Sequence, residues 1–67
     1  MSNNNKERVL ETIRAAYPND LSIKEVAEKS NLSRPTASTW LKVLYAEGKI
    51  EISRKVGRAI FYKLKVQ

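Results

Sequence analysis

The sequence contains no cysteine and no histidine. Without cysteine there is neither a disulfide nor a thiolate metal site, and without histidine the commonest zinc ligand is missing too, so no metal centre is expected. Glycine is scarce: Gly48 and Gly57 are the only two, which leaves no phosphate-cradling glycine loop. No apolar run approaches the roughly 18 residues of a membrane span, and the opening MSNNNKERVL lacks the apolar core of a signal peptide, so a soluble, cytoplasmic protein is expected. The 67 residues allow one small domain, spanning 1–67 with 1–5 frayed. General acid/base work at neutral pH needs a cleft that shifts a carboxylate or lysine strongly, and a chain of this size has little room for one. No catalytic residue and no cofactor is therefore expected. Glu7 and Glu11, four apart on one helix, are assigned to a solvated face.

Acid is what the second half lacks. Up to Leu32, Lys6, Arg8, Arg14, Lys24 and Lys29 balance Glu7, Glu11, Asp20, Glu25 and Glu28. From Ser33 onward, Arg34, Lys42, Lys49, Arg54, Lys55, Arg58, Lys63 and Lys65 face only Glu47 and Glu51. The whole net charge of +6 thus belongs to the second half. A one-sided basic surface attracts polyanions, nucleic acid being the usual one; a solubilising surface is the plain alternative.

The apolar pattern places the elements. Val9, Leu10, Ile13, Ala16 and Tyr17 recur at helical spacing and predict a first helix, ended by Pro18, Asn19 and Asp20. Leu21 adds a short extended segment. Ser22 with Glu25 makes a capping box, and Leu21 with Val26 a hydrophobic staple, so a second helix starts at Ile23, buries Ile23, Val26 and Ala27, and stops near Ser30 and Asn31. Ser33 caps a third helix running to Glu47 and closed by Gly48. At 100° per residue Ala37, Trp40, Leu41 and Leu44 share one face, while Pro35, Ser38, Thr39 and Lys42 lie across from it. After Gly48 the period becomes two: Ile50 and Ile52, then Ile60, Tyr62, Leu64 and Val66, form two strands of a hairpin whose connection is Arg54 to Arg58 around Gly57. The fold class is α+β: three helices followed by a two-stranded β-hairpin, with an extra short strand near Leu21.

Two helices joined by a tight turn, the second presenting small polar and basic residues, make a helix-turn-helix, and a basic hairpin after it makes it winged. Arg34 at the start of the third helix opposes the helix macrodipole, as Glu47 does in the last turn, so each needs a partner. Phosphate suits Arg34: the unpaired N–H groups of the helix start and the Ser33 and Thr36 hydroxyls can all donate to it. Pro35 stiffens the entry at little cost. Small side chains at Ser38 and Thr39 admit base edges, and Lys42 reaches a base or the flanking backbone. Taken alone, SRPTAST from Ser33 to Thr39 is also what a well-capped helix start looks like.

SIKEVAEKSNLSRPTASTWLKVLYAEGKI followed by EISRKVGRAIFYKL resembles the winged helix-turn-helix regulators of bacteria and archaea, and is most similar to the DNA-binding core of the arsenical-resistance and multiple-antibiotic-resistance repressor types. The likeness spans Arg8 to Leu64 and rests on the alanine of helix two, the capped third helix, its L-x-x-L-x-x-x-G-x-I ending and the Gly-Arg wing. It implies that Ser33, Arg34, Pro35, Thr36, Ser38, Thr39 and Lys42 face double-stranded DNA, with Arg54, Lys55 and Arg58 on the wing. The metal sensors of the group carry cysteine or histidine and the drug sensors carry long additional helices; neither is present, so metal sensing, an effector pocket and the usual dimer interface are not implied. Family habit still suggests a homodimer on a symmetric site. A protein-interaction module and a sequence-indifferent architectural protein are the alternatives. Trp40 and Val43 are assigned to packing, and Tyr45 to the core margin with its hydroxyl in water. Phe61 either covers a neighbouring helix or belongs to a self-association patch.

Overall fold

The computed structural model describes residues 3–66. Helix α1 spans Asn3–Ala16, strand β1 Leu21–Ser22, helix α2 Ile23–Ser30, helix α3 Arg34–Ala46, strand β2 Ile50–Val56 and strand β3 Ala59–Leu64. The architecture is α+β, three helices against a three-stranded antiparallel sheet of order β1-β3-β2. Of the stretch expected to fray, residues 1 and 2 lie outside the described residues, and Asn3 to Asn5 belong to the first turn of α1.

Side-chain caps set the helix boundaries. Ser22 accepts from the Glu25 N–H while Glu25 accepts from the Ser22 N–H, so two donors at the start of α2 are satisfied reciprocally. That helix ends on Asn31, whose left-handed backbone (φ 61°, ψ 43°) reverses the chain, and the Leu32 N–H donates to the Ala27 carbonyl. Ser30, the one buried polar side chain among the described residues, donates to the Val26 carbonyl one turn back. Two residues after Asn31, Ser33 caps α3.

At the far end of α3, Lys49 N–H donates to the Leu44 carbonyl and Gly48 N–H to the Tyr45 carbonyl, the paired bonds of a Schellman motif. Gly48 supplies the positive φ of 78° that this ending needs, and a Cβ there meets nothing within 4 Å. Backbone strain is therefore the whole cost of a side chain at this position. Gly48→Ala should lower stability by roughly 1–2 kcal/mol, with Gly48→Asn closer to the parent, as read from thermal melts of the two variants.

One core unites the layers: Val9, Leu10 and Ile13 from α1, Leu21, Val26 and Ala27, then Ala37, Leu41 and Leu44 from α3, with Ile50 and Tyr62 from the sheet. Trp40 and Ile23 pack partly buried against it, whereas Tyr17 and Ile52, each on an apolar repeat in the sequence, are exposed. Ile52 is exposed because β2 leaves the core after Glu51 to become the wing.

The hairpin departs from the expected connection. Both strands are longer at the turn end, so Gly57 and Arg58 alone form the loop, and Arg54 and Lys55 are strand residues rather than loop residues. Gly57 takes φ 59° at the first loop position, where a two-residue hairpin favours glycine. Pairing also slips: Ile52 faces Tyr62 but Arg54 faces Phe61, which makes Ser53 the extra residue of a β-bulge. Beyond the bulge Lys55 faces Ile60, so Lys55 shares the sheet face of Ile60 and Tyr62, and Arg54 takes the other face with Phe61.

Candidate nucleic-acid interface

Helix α3 presents a buried face, an exposed stripe and two flanks between them. Ala37, Leu41 and Leu44 are buried. Across from them, Pro35, Thr39 and Lys42 lie exposed along one stripe, as the 100° rotation requires. Arg34, Ser38 and Tyr45 occupy the flank between stripe and core, and Thr36, Trp40 and Val43 the other flank. Arg34 is exposed and Ser38 half-buried.

The hydroxyls along this helix are partly committed. Ser33 donates to the Thr36 hydroxyl at 2.9 Å and accepts from the Thr36 N–H at 3.3 Å, so capping consumes Ser33 and leaves the Thr36 hydrogen to be donated outward. Thr39 donates to the Pro35 carbonyl at 3.0 Å, which leaves its lone pairs and its methyl group for a partner. Ser38 has no hydrogen-bond partner among the described residues and keeps both donor and acceptor capacity.

A notch of about 470 Å³ joins α3 to the wing. Its floor is Ile23, Ala59, Ile60 and Phe61, and Lys24, Arg34 and Arg58 stand around it. It opens where β1, only two residues long, stops covering the edge of β3. Arg34 from the start of α3 and Arg58 from the hairpin loop thus share one concavity. Lys55 pairs with Ile60, one of the residues that line the notch. Lys24 belongs to this neighbourhood without having been singled out in the sequence, and Ser22, read there as a cap, lies beside it; the signal for Lys24 is its placement in the first turn of α2 next to that cap.

Ion pairing separates the basic residues. The Lys6 ammonium reaches Glu47 at 2.6 Å, linking α1 to the end of α3, with Lys49 at 3.9 Å on the other oxygen. The hydrogen bond from Lys6, with the nearby Lys6 and Lys49 charges, holds the Glu47 carboxyl below its ordinary value. This supplies the partner that Glu47, at an unfavourable helix end, requires. Arg54 Nε donates to Asp20 at 3.0 Å, and its guanidinium carbon sits 4.4 Å from the Phe61 ring centroid. Ser53 hydrogen bonding, and then Arg54, hold the Asp20 carboxyl below its ordinary value. By contrast, Arg34, Lys42, Lys55 and Arg58 form no ion pair among the described residues. Phe61 is half-buried, with the Arg54 guanidinium over its ring.

Among the described residues no cluster of three or more acidic side chains is gathered that could hold a metal ion, and no helix is long and apolar enough to cross a membrane. No curated protein matches the chain. Residues 2–51, which span all three helices and the start of β2, match the family described as winged helix-turn-helix DNA-binding. With α2, the Asn31 turn and α3 inside that match and a basic hairpin following it, the chain belongs to the winged helix-turn-helix DNA-binding family.

Proposed function

We propose that this protein is a transcriptional regulator that reads double-stranded DNA with α3 in the major groove and rests its wing on the adjacent backbone or minor groove. The observation that carries the reading is the shared concavity of Arg34 and Arg58: the start of the helix and the tip of the wing open to one side, flanked by cations that no acidic side chain among the described residues neutralises. A duplex laid there meets Arg34, the Thr36 hydroxyl and the free N–H groups of the helix start as phosphate donors. Pro35, Ser38, Thr39 and Lys42 line the groove, and Lys55 and Arg58 meet the backbone beyond it. Ser33 contributes as the cap that holds Thr36. The reading is non-catalytic and places the protein in the cytoplasm, at the nucleoid. Two copies on half-sites about one helical turn apart supply the affinity that one small module lacks.

Thr39 and Ser38 divide the specificity in this reading. The Thr39 hydroxyl, already donating to Pro35, offers an acceptor and a methyl, which suit the amino group of adenine or cytosine or the methyl of thymine. Ser38 donates or accepts. Selection of duplexes from a random pool should return a defined motif for the parent, and Thr39→Ala and Ser38→Ala should each relax it at one or two positions, by about 1–3 kcal/mol per base pair. Recovery of no motif by the parent would overturn sequence-specific reading in favour of a sequence-indifferent binder.

A further inference from the structure

We infer that Arg54 is a positioning residue that clips the wing to the body through Asp20, rather than one of the groups that meet DNA. The inference rests on the DNA-binding reading above. The bulge at Ser53 turns Arg54 to the sheet face opposite Lys55, away from the face that Lys55 shares with Ile60. There it crosses β3 over Phe61 and donates to Asp20, in the turn between α1 and β1. Phe61 is also the β3 partner of Ser22, so the guanidinium ties β2 to the far strand of the sheet. The clip sits where support is needed: β2 is exposed from Ile52 to its end, so past that point the hairpin leans on the core through β3, at Ile60, and not through β2. Asp20 keeps 18% of its side-chain surface exposed against 57% for Arg54, as expected of an anchor and the arm it holds.

Asp20→Asn separates the two roles by sign. It removes a negative charge from a protein of net charge +6, which by simple electrostatics favours a polyanion. If Arg54 is a clip, binding of a mixed-sequence duplex weakens severalfold instead, and the salt slope becomes shallower by about one to two units as Lys55 and Arg58 lose their seats, although no cation was removed. Arg54→Lys then behaves like Arg54→Ala, since a lysine keeps the charge but neither the stack nor the fork, and the Asp20→Asn/Arg54→Ala double variant is no worse than either single one. A loss of global stability alone leaves the slope of the folded protein unchanged and overturns the inference. Tighter binding by Asp20→Asn, with Arg54→Lys close to the parent, overturns it in favour of direct phosphate contact. Should Asp20→Asn fail to fold, Phe61→Leu, which removes the ring and keeps apolar bulk, is expected to give the same shallower slope; an unchanged slope contradicts the clip. Arg58→Ala on the parent background is the control for the underlying reading: if it leaves the slope untouched, the DNA-facing wing itself fails, whereas a shallower slope there with none in Asp20→Asn removes only the clip.

Discussion

Replacing Arg34, Lys42, Lys55 and Arg58 together with glutamine is expected to remove most duplex affinity while leaving the fold intact or slightly firmer. None of the four is buried and none forms an ion pair among the described residues, so their charges contribute little to holding the domain together. Arg34 works against it: a cation at the first position of α3 opposes the macrodipole by roughly 0.3–1 kcal/mol. Each of the four that neutralises a phosphate adds about 0.9 to the dependence of log K on log salt. Losing all four lowers the slope by about 3.6 units, which at about 0.15 M salt corresponds to roughly a thousandfold in affinity. Titrations at several salt concentrations, together with a thermal melt, read both halves of this expectation. An unchanged slope would remove these cations from the interface; a collapsed melt would mean that they stabilise the fold after all.

The second large effect lies one residue away from Lys42. Leu41→Ala should destabilise the domain by about 2–5 kcal/mol, because Leu41 is fully buried between the helices and the sheet. A chain of this length has a total stability of roughly 3–10 kcal/mol, so the substitution removes a large share of it and a sizeable fraction of molecules unfolds on modest warming. Lys42→Ala, exposed, should stay within about 0.5 kcal/mol of the parent in denaturant titrations and show its effect in DNA binding instead. Neighbouring residues on one helix thus divide cleanly between folding and recognition, and the pair of variants tests that the helix is rotated as described.

Much of this was legible in the sequence because it is local. The Ser22 and Glu25 box, the Ser33 cap and the Gly48 ending each depend on residues within one turn of one another, and all three are in place. Helical rotation also puts Pro35, Thr39 and Lys42 opposite Ala37, Leu41 and Leu44, whereas Ser38, read as part of the polar stripe, and Trp40, read as part of the apolar face, lie half-buried on the flanks between them. What escaped is what two distant segments decide together. Alternation along β2 counts an unbroken pleat, and only pairing with β3 reveals that Ser53 is extra, so the faces of Arg54 and Lys55 could not be read from β2 itself. The Asp20–Arg54 and Lys6–Glu47 pairs join residues 34 and 41 apart, and no spacing rule announces such contacts. Both ends of α3 carry a charge that the helix macrodipole opposes, Arg34 at the start and Glu47 at the end. For Glu47 the partner is Lys6; for Arg34 the described residues supply none, and this difference between the two ends points outward to a ligand.

The measurement that bears most directly on this account is an amide chemical-shift titration of the isotope-labelled chain with a duplex of about two helical turns. Arg34, Ser38, Thr39 and Lys42 on α3 are expected to shift together with Gly57 and Arg58 on the wing, while the solvated face of α1 around Glu7 and Glu11 stays still. Movement of the helix signals without the wing, or of α1 in place of either, would contradict it.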